Sequence, residues 1–147
     1  MIDTIKKRIS VRSYLKKPLS EKDRDNILDI LKSVEKQTGP FSHRVQWFYK
    51  ENEKDHGGRY GTYCFIKNPP AFIGGVIENT KEAMVDFGFL FETAILLLTK
   101  EGFGTVWLGG TFNRKEFNVD IQKNQIILAI SPVGYPTDKS LRKKVIR

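Results

Sequence analysis

Residues 71–110 read AFIGGVIENTKEAMVDFGFLFETAILLLTKEGFGTVWLGG. The first seven residues form a short apolar run of strand type, bounded by turn-forming residues. The pair Gly74 and Gly75 inside it points to close approach by another backbone or a ligand. Asn79 or Thr80 then caps a helix predicted over 80–100. In its second half Phe87, Leu90, Phe91, Ala94, Ile95, Leu97 and Leu98 leave hardly a polar face. A helix apolar all round is buried in a core or between subunits. Its most apolar part, 87–98, is flanked by Asp86 and Lys100 and contains Glu92. A membrane span takes about 20 apolar residues, so this is a buried helix. Glu92 is expected to pair with a basic group or face a partner, because unpaired carboxylates are rarely buried. Residues 102–104 (Gly-Phe-Gly) end the helix, and a short strand is expected at 105–108.

The flanking sequence interleaves helices and strands in the same way, which predicts an α+β fold. Ile2, Ile5 and Ile9 recur at helical spacing and place a short helix at 2–8. It runs into an exit turn that Pro18 closes. Ser20 reads as the N-cap of a helix over 20–37, with Asp23 as its capping-box partner and Gly39-Pro40 as its stop. Residues 44–50 (RVQWFYK) alternate and form a strand, followed by a polar surface loop at 51–58. Residues 60–67 fit either element, and Asn68-Pro69-Pro70 breaks them. Asn113 caps a short helix at 114–119, and 125–133 (QIILAISPV) form another strand. No repeat or linker divides the 147 residues, so residues 1–147 are expected to be one domain.

Composition excludes several classes. With 39% hydrophobic and 29% charged residues, the chain is neither disordered nor of low complexity. Cys64 is the only cysteine, so no internal disulfide forms. With His43 and His56 it gives too few ligands for structural zinc, and no metal is expected. No apolar segment follows Lys6, Lys7 and Arg8, so no secretory signal is read and a cytoplasmic location is expected. The net charge of +8 is uneven. Residues 1–17 and 136–147 together carry eleven basic and two acidic side chains, a net +9; residues 18–135 carry fourteen and fifteen, a net −1. If the ends meet they form one anion site; if not, they are two solvated basic tails.

Three stretches can carry chemistry. Arg8-x-Ser10-x-Arg12 sets two planar guanidinium forks about a hydroxyl, an arrangement suited to phosphate, against the alternative of a solvated basic turn. Gly104-Thr-Val-Trp-Leu-Gly-Gly110 offers backbone N–H groups to a flat ligand or an anion, or is simply a tight turn. Gly102-x-Gly104 follows a helix and precedes a strand, the wrong order for a dinucleotide fingerprint. The tail Ser140-Leu-Arg-Lys-Lys-Val-Ile-Arg147 is either an anion contact or an exposed basic terminus. His43 and His56 stand alone in loop-like contexts, Cys64 suits packing, and no spacing suggests a nucleophile–base pair or a P-loop.

Together these segments resemble the nitroreductase-like family of FMN flavoproteins. The resemblance runs through Arg8-Ile-Ser-Val-Arg12, Asp86-Phe-Gly-Phe-Leu-Phe-Glu92, Gly102-Phe-Gly-Thr-Val-Trp-Leu-Gly-Gly-Thr-Phe-Asn-Arg114, Pro132-Val-Gly-Tyr-Pro136 and the basic tail. It is nearest to a branch whose longer members hold two such halves in one chain. It implies a mixed central sheet flanked by helices, with a long buried central helix. It also implies that Arg8, Ser10 and Arg12 hold the FMN phosphate and ribityl chain, joined by Arg142 and Lys144. Trp107, Leu108, Gly109 and Gly110 would lie beside the isoalloxazine ring. The implied activity is a two-step transfer: NADH or NADPH reduces FMN, and a nitroaromatic or quinone then takes the electrons. No catalytic acid or base is implied.

The family's Pro-Ser-x-x-Asn-x-Gln-Pro-like segment over the flavin is absent; Gly39-Pro-Phe-Ser-His-Arg44 stands there. Family sites form where two subunits or halves meet. The chain is therefore expected to rebuild its site as a homodimer, which the helix at 80–100 favours. The alternatives are a short or half-length member with a weakened or lost flavin site, and a fragment. A different reading is a basic module for anions or nucleic acid, motivated by the terminal charge. No helix-turn-helix or ribonucleoprotein-type motif supports it, and nucleic acid and membrane are not expected partners.

Overall fold

The computed structural model describes residues 1–52, 66–110, 117 and 119–137. At its centre β2 (Ala71–Glu78) lies between β1 (Gln46–Glu51) and β3 (Gln125–Val133), antiparallel to both. Every β2 residue except Glu78 is buried. Side chains alternate across a strand, so both sheet faces must be covered. Ala71, Ile73 and Ile77 face a core built with α2 (Glu21–Glu35) and α3 (Lys81–Lys100). Phe72 and Val76 face a second core made by Ile9, Val11, Tyr14, Val106, Leu108 and Phe117. Beyond the three strands, residues 10–14 add isolated parallel bridges from Ser10 to Thr105 and from Ser13 to Lys67. The fold is the α+β arrangement expected, with the sheet's parallel character confined to those bridges among the described residues.

Gly74 and Gly75 are closely approached, but by side chains rather than by backbone or ligand. They pair with Phe48 and Trp47 of β1. A Cβ on Gly74 would lie 2.5 Å from the Phe48 ring, and one on Gly75 2.3 Å from Val45. The missing side chains make room for aromatic cover from the neighbouring strand. Between Gly74 and Val76 the β2–β3 register shifts: two steps along β2 match three along β3, from Ile130 to Ile127. The extra β3 residue is a bulge, and it lets Leu128 and Ala129 both pack toward the helices.

Helix ends follow local chemistry. Thr80 caps α3 by accepting from the Ala83 N–H. Its other end is a full Schellman motif. Gly102 sits at φ +91°, its N–H donating to the Thr99 carbonyl and that of Phe103 to Leu98. Ser20 caps α2 through the Asp23 N–H, as its sequence predicts. The return half of the capping box differs. The Tyr135 hydroxyl intervenes, accepting from the Ser20 N–H and donating to the Asp23 carboxylate.

The expected strand at 105–108 is not a strand. Gly104 and Leu108 make paired bonds to Gly134 and Ile130 of the β3 region. The position between them would pair Val106 with Pro132, which has no N–H to give. The Ser131 hydroxyl repairs the gap, accepting from the Val106 N–H at 3.0 Å and donating to the Pro132 carbonyl at 2.7 Å. The predicted helix at 114–119 falls almost wholly outside the described residues.

Gly75→Ala is expected to destabilise the protein by about 1–3 kcal/mol through overpacking against Val45 and Phe87. Equilibrium urea unfolding should show a lower midpoint with an unchanged slope.

Candidate functional site

α1 (Ile2–Lys7) ends where Arg8 turns extended, at φ −62° and ψ 131°. From there alternate residues face opposite ways. Ile9 and Val11 are buried, Arg8 and Ser10 are half-buried, and Arg12 is exposed. The strip is fixed to the segment after α3: Ser10 bridges Thr105, and the Val11 N–H donates to the Thr105 carbonyl at 2.9 Å. The structure thus brings Arg8, Ser10 and Arg12 alongside the stretch that leads to Trp107, Leu108, Gly109 and Gly110. Thr105 Oγ1, at the junction, is buried and without a partner among the described residues.

Trp107 is 37% exposed. Its ring packs edge-on against Phe91 at 4.7 Å and Phe87 at 6.1 Å between centroids. Leu108 is buried and doubly bonded to Ile130. Gly109 and Gly110 are exposed, and a Cβ on either would meet no atom within 4 Å. Arg8, Ser10 and Arg12 therefore lie on a strip bonded to the segment that carries a part-exposed aromatic ring and an open pair of glycines. This arrangement can hold an anion at one end and a flat group at the other. Neither of two surface clefts, of about 280 and 680 Å³, is lined by residues 8–12 or 107–110. Arg142 and Lys144 lie outside the described residues, as do His56 and Cys64.

The structure also builds a pair that spacing did not suggest. Asp86, fully buried on α3, accepts hydrogen bonds from the Phe41 N–H, the His43 N–H and the His43 ring Nδ1, each at 2.8 Å. Residues 39–43 wrap around it. The Gly39 N–H donates to the His43 carbonyl, Ser42 takes φ +68°, and a Cβ on Gly39 would meet Asp86 Oδ1 at 2.3 Å. Burial acts to raise the Asp86 carboxyl, but these hydrogen bonds outweigh it and hold the group below its ordinary range. The His43 side chain is 35% exposed. The partners are 43 residues apart, and the only sequence signal was a carboxylate at the edge of an apolar helix.

Glu92 is half-buried, and its Oε1 is buried without a partner among the described residues. Around α3 several large apolar side chains remain open to solvent: Val85 at 51%, Phe89 at 56%, and Ile2 and Ile5 on α1 at 70% and 55%. The half of α3 that reads as apolar all round is buried or half-buried apart from Phe89, and the open apolar surface lies at Val85 and Phe89. No helix among the described residues is long and apolar enough to cross a membrane.

A family model described as "Putative TM nitroreductase" matches residues 1–147. No curated protein matches the chain. Among solved structures, a nitroreductase family protein from Clostridium novyi NT is 21% identical, with a TM-score of 0.67 over 94% of this chain and 87% of that one. An FMN-dependent nitroreductase from Clostridium difficile R20291 is 17% identical, with a TM-score of 0.71 over 94% and 88%. An iodotyrosine deiodinase bound to FMN and 3-iodo-L-tyrosine is 18% identical, with a TM-score of 0.71 over 93% and 90%. At these identities the likeness is one of fold.

The depressed Asp86 carboxyl makes a signed prediction. Its stabilisation is complete above the ordinary value of 3.8 and drains away as pH falls from there through the lower native value. Asp86→Asn should therefore be less stable than the parent at neutral pH, with the difference shrinking below pH 3.8. Chemical unfolding of both proteins across that range measures it.

Proposed function

Because the chain belongs to the nitroreductase family, we propose that it is an FMN-dependent oxidoreductase. It passes electrons from NADH or NADPH to a small oxidised acceptor, such as a nitroaromatic or a quinone, and works as a homodimer with the flavin site at the interface. The observation that carries this reading is the Ser10–Thr105 bridge, with the Val11 N–H bonded to the Thr105 carbonyl. It joins the Arg8, Ser10 and Arg12 strip to the segment that leads to Trp107 and Gly110, which supports assigning the phosphate to the first and the flat ring to the second.

The residues present fit the group. Arg8 and Arg12 would grip the phosphate through charge-assisted hydrogen bonds, with Ser10 donating its hydroxyl. Arg142 and Lys144 would close on the same anion. The open faces of Gly109 and Gly110 would admit the ring, and their backbone would orient it. FMN supplies the hydride chemistry; the protein supplies position and field. Trp107, fixed by Phe87 and Phe91, would exclude water from one edge of the ring.

The dimer is supported by what one chain leaves open. Val85 and Phe89 lie one turn apart on α3 and are exposed, as are Ile2 and Ile5 of α1, a helix that packs against α3. The charge at the two chain ends serves the phosphate in this reading, which leaves nucleic acid and membrane without a role.

Absorbance after mixing with FMN and desalting tests the cofactor. A retained, shifted flavin band that NADH or NADPH bleaches without oxygen is expected, and a colourless protein overturns the reading. Arg12→Ala should weaken FMN binding by about tenfold or more, the effect of one lost charged hydrogen bond. Phe89→Lys should convert dimer to monomer in sedimentation, whereas a parent already monomeric at micromolar concentration overturns the interface.

A further inference from the structure

The residues assigned above bind and orient, but none handles a proton. Reduction of a quinone forms two O–H bonds. The electron pair and one proton come from NAD(P)H by way of the flavin, and a second proton must come from elsewhere. His43 has the construction of a proton donor. Asp86 fixes one ring nitrogen, Nδ1, at 2.8 Å and is itself locked by two backbone N–H groups. An ionised partner on Nδ1 sets the tautomer and leaves Nε2 as the exchanging position. The side chain is 35% exposed while its partner is fully buried, so the dyad opens outward from a rigid base.

The dyad is also linked to the redox stretch through α3. Asp86 is followed on α3 by Phe87, whose ring lies 6.1 Å from that of Trp107. The same turn of α3 therefore anchors His43 and the segment proposed to hold the flavin ring. Phe41, the exposed apolar residue of the His43 loop, is bonded through its N–H to Asp86, the chain neighbour of exposed Val85 on α3.

We infer that His43 gives the second proton to the acceptor from Nε2, with Asp86 as its positioning residue. This rests on the oxidoreductase reading. In the step, the acceptor gains two electrons and two protons and NAD(P)H is oxidised. His43 loses one proton and regains it from solvent. The low native range of the Asp86 carboxyl keeps that group ionised throughout.

Two acceptors separate this role from a structural one. A quinone takes up protons with its electrons, whereas ferricyanide takes one electron and no proton. In His43→Gln, quinone turnover should fall roughly 100-fold while ferricyanide turnover holds. Free imidazole should restore part of the quinone rate to His43→Ala. Equal losses on both acceptors, or none on either, overturn the proposal. A second readout needs no cofactor: nitrogen-15 NMR of the purified parent should find that the neutral ring carries its proton on Nδ1 and leaves Nε2 bare. The opposite tautomer overturns the proposal. If the parent binds no FMN and reduces neither acceptor, the oxidoreductase reading fails and the donor role with it. That outcome is distinct from a loss confined to the His43 variants.

Discussion

A strand with no solvent face constrains everything around it. β2 buries seven of its eight residues, so the chain must roof both sides of a three-stranded sheet that is too narrow to close on itself. On one side two helices suffice. On the other, no regular element is present among the described residues. The roof is assembled from the segment after α1 and the segment after α3, stitched together at Ser10, Val11 and Thr105. Irregular backbone carries exposed donors and acceptors, which is why binding residues gather on such segments while the scaffold stays regular.

The proposed site is a by-product of that second roof. Ile9 and Val11 must point inward to cover Phe72 and Val76, and in an extended segment this turns Arg8, Ser10 and Arg12 outward. Likewise Leu108 is pulled down onto Ile130, leaving Trp107 and the glycines on the opposite side. Core burial and ligand contact are two faces of the same alternation. α3 serves both roofs, since Phe87 and Phe91 fill the helix-side core and brace Trp107 from below.

What could be read beforehand was whatever local chemistry determines. Thr80, Ser20 and Gly102 marked helix ends because caps are decided within four residues. The spacing of Arg8, Ser10 and Arg12 was legible, whereas the extended backbone that sets them apart from buried Ile9 and Val11 read only as an exit turn. What escaped depended on residues far apart. A strand at 105–108 failed because Pro132 opposes Val106, and no window around Val106 contains that fact. Tyr135 entered the α2 cap from the far end of the chain. Asp86 and His43 met because a tight loop folds over a helix face, while spacing rules search along a single element. Gly74 and Gly75 announced crowding correctly but not its source, since the aromatic cover comes from another strand.

The stitching of residues 10–15 has a consequence for synthesis. Ser10 and Val11 wait for Thr105, and Leu15 waits for Tyr135. The hydroxyl of Tyr135 reaches back 115 residues to Ser20 and 112 to Asp23. As the chain leaves the ribosome, residues 12–14 can pair once Lys67 has emerged, but Ser10, Val11 and Leu15 wait for residues 105 and 135. β3, which seals β2, arrives just as late. Such non-local pairing slows folding and exposes apolar surface meanwhile. Between the emergence of β2 and that of β3 the nascent chain must therefore hold one edge of β2 unpaired, the interval in which a chaperone would engage it.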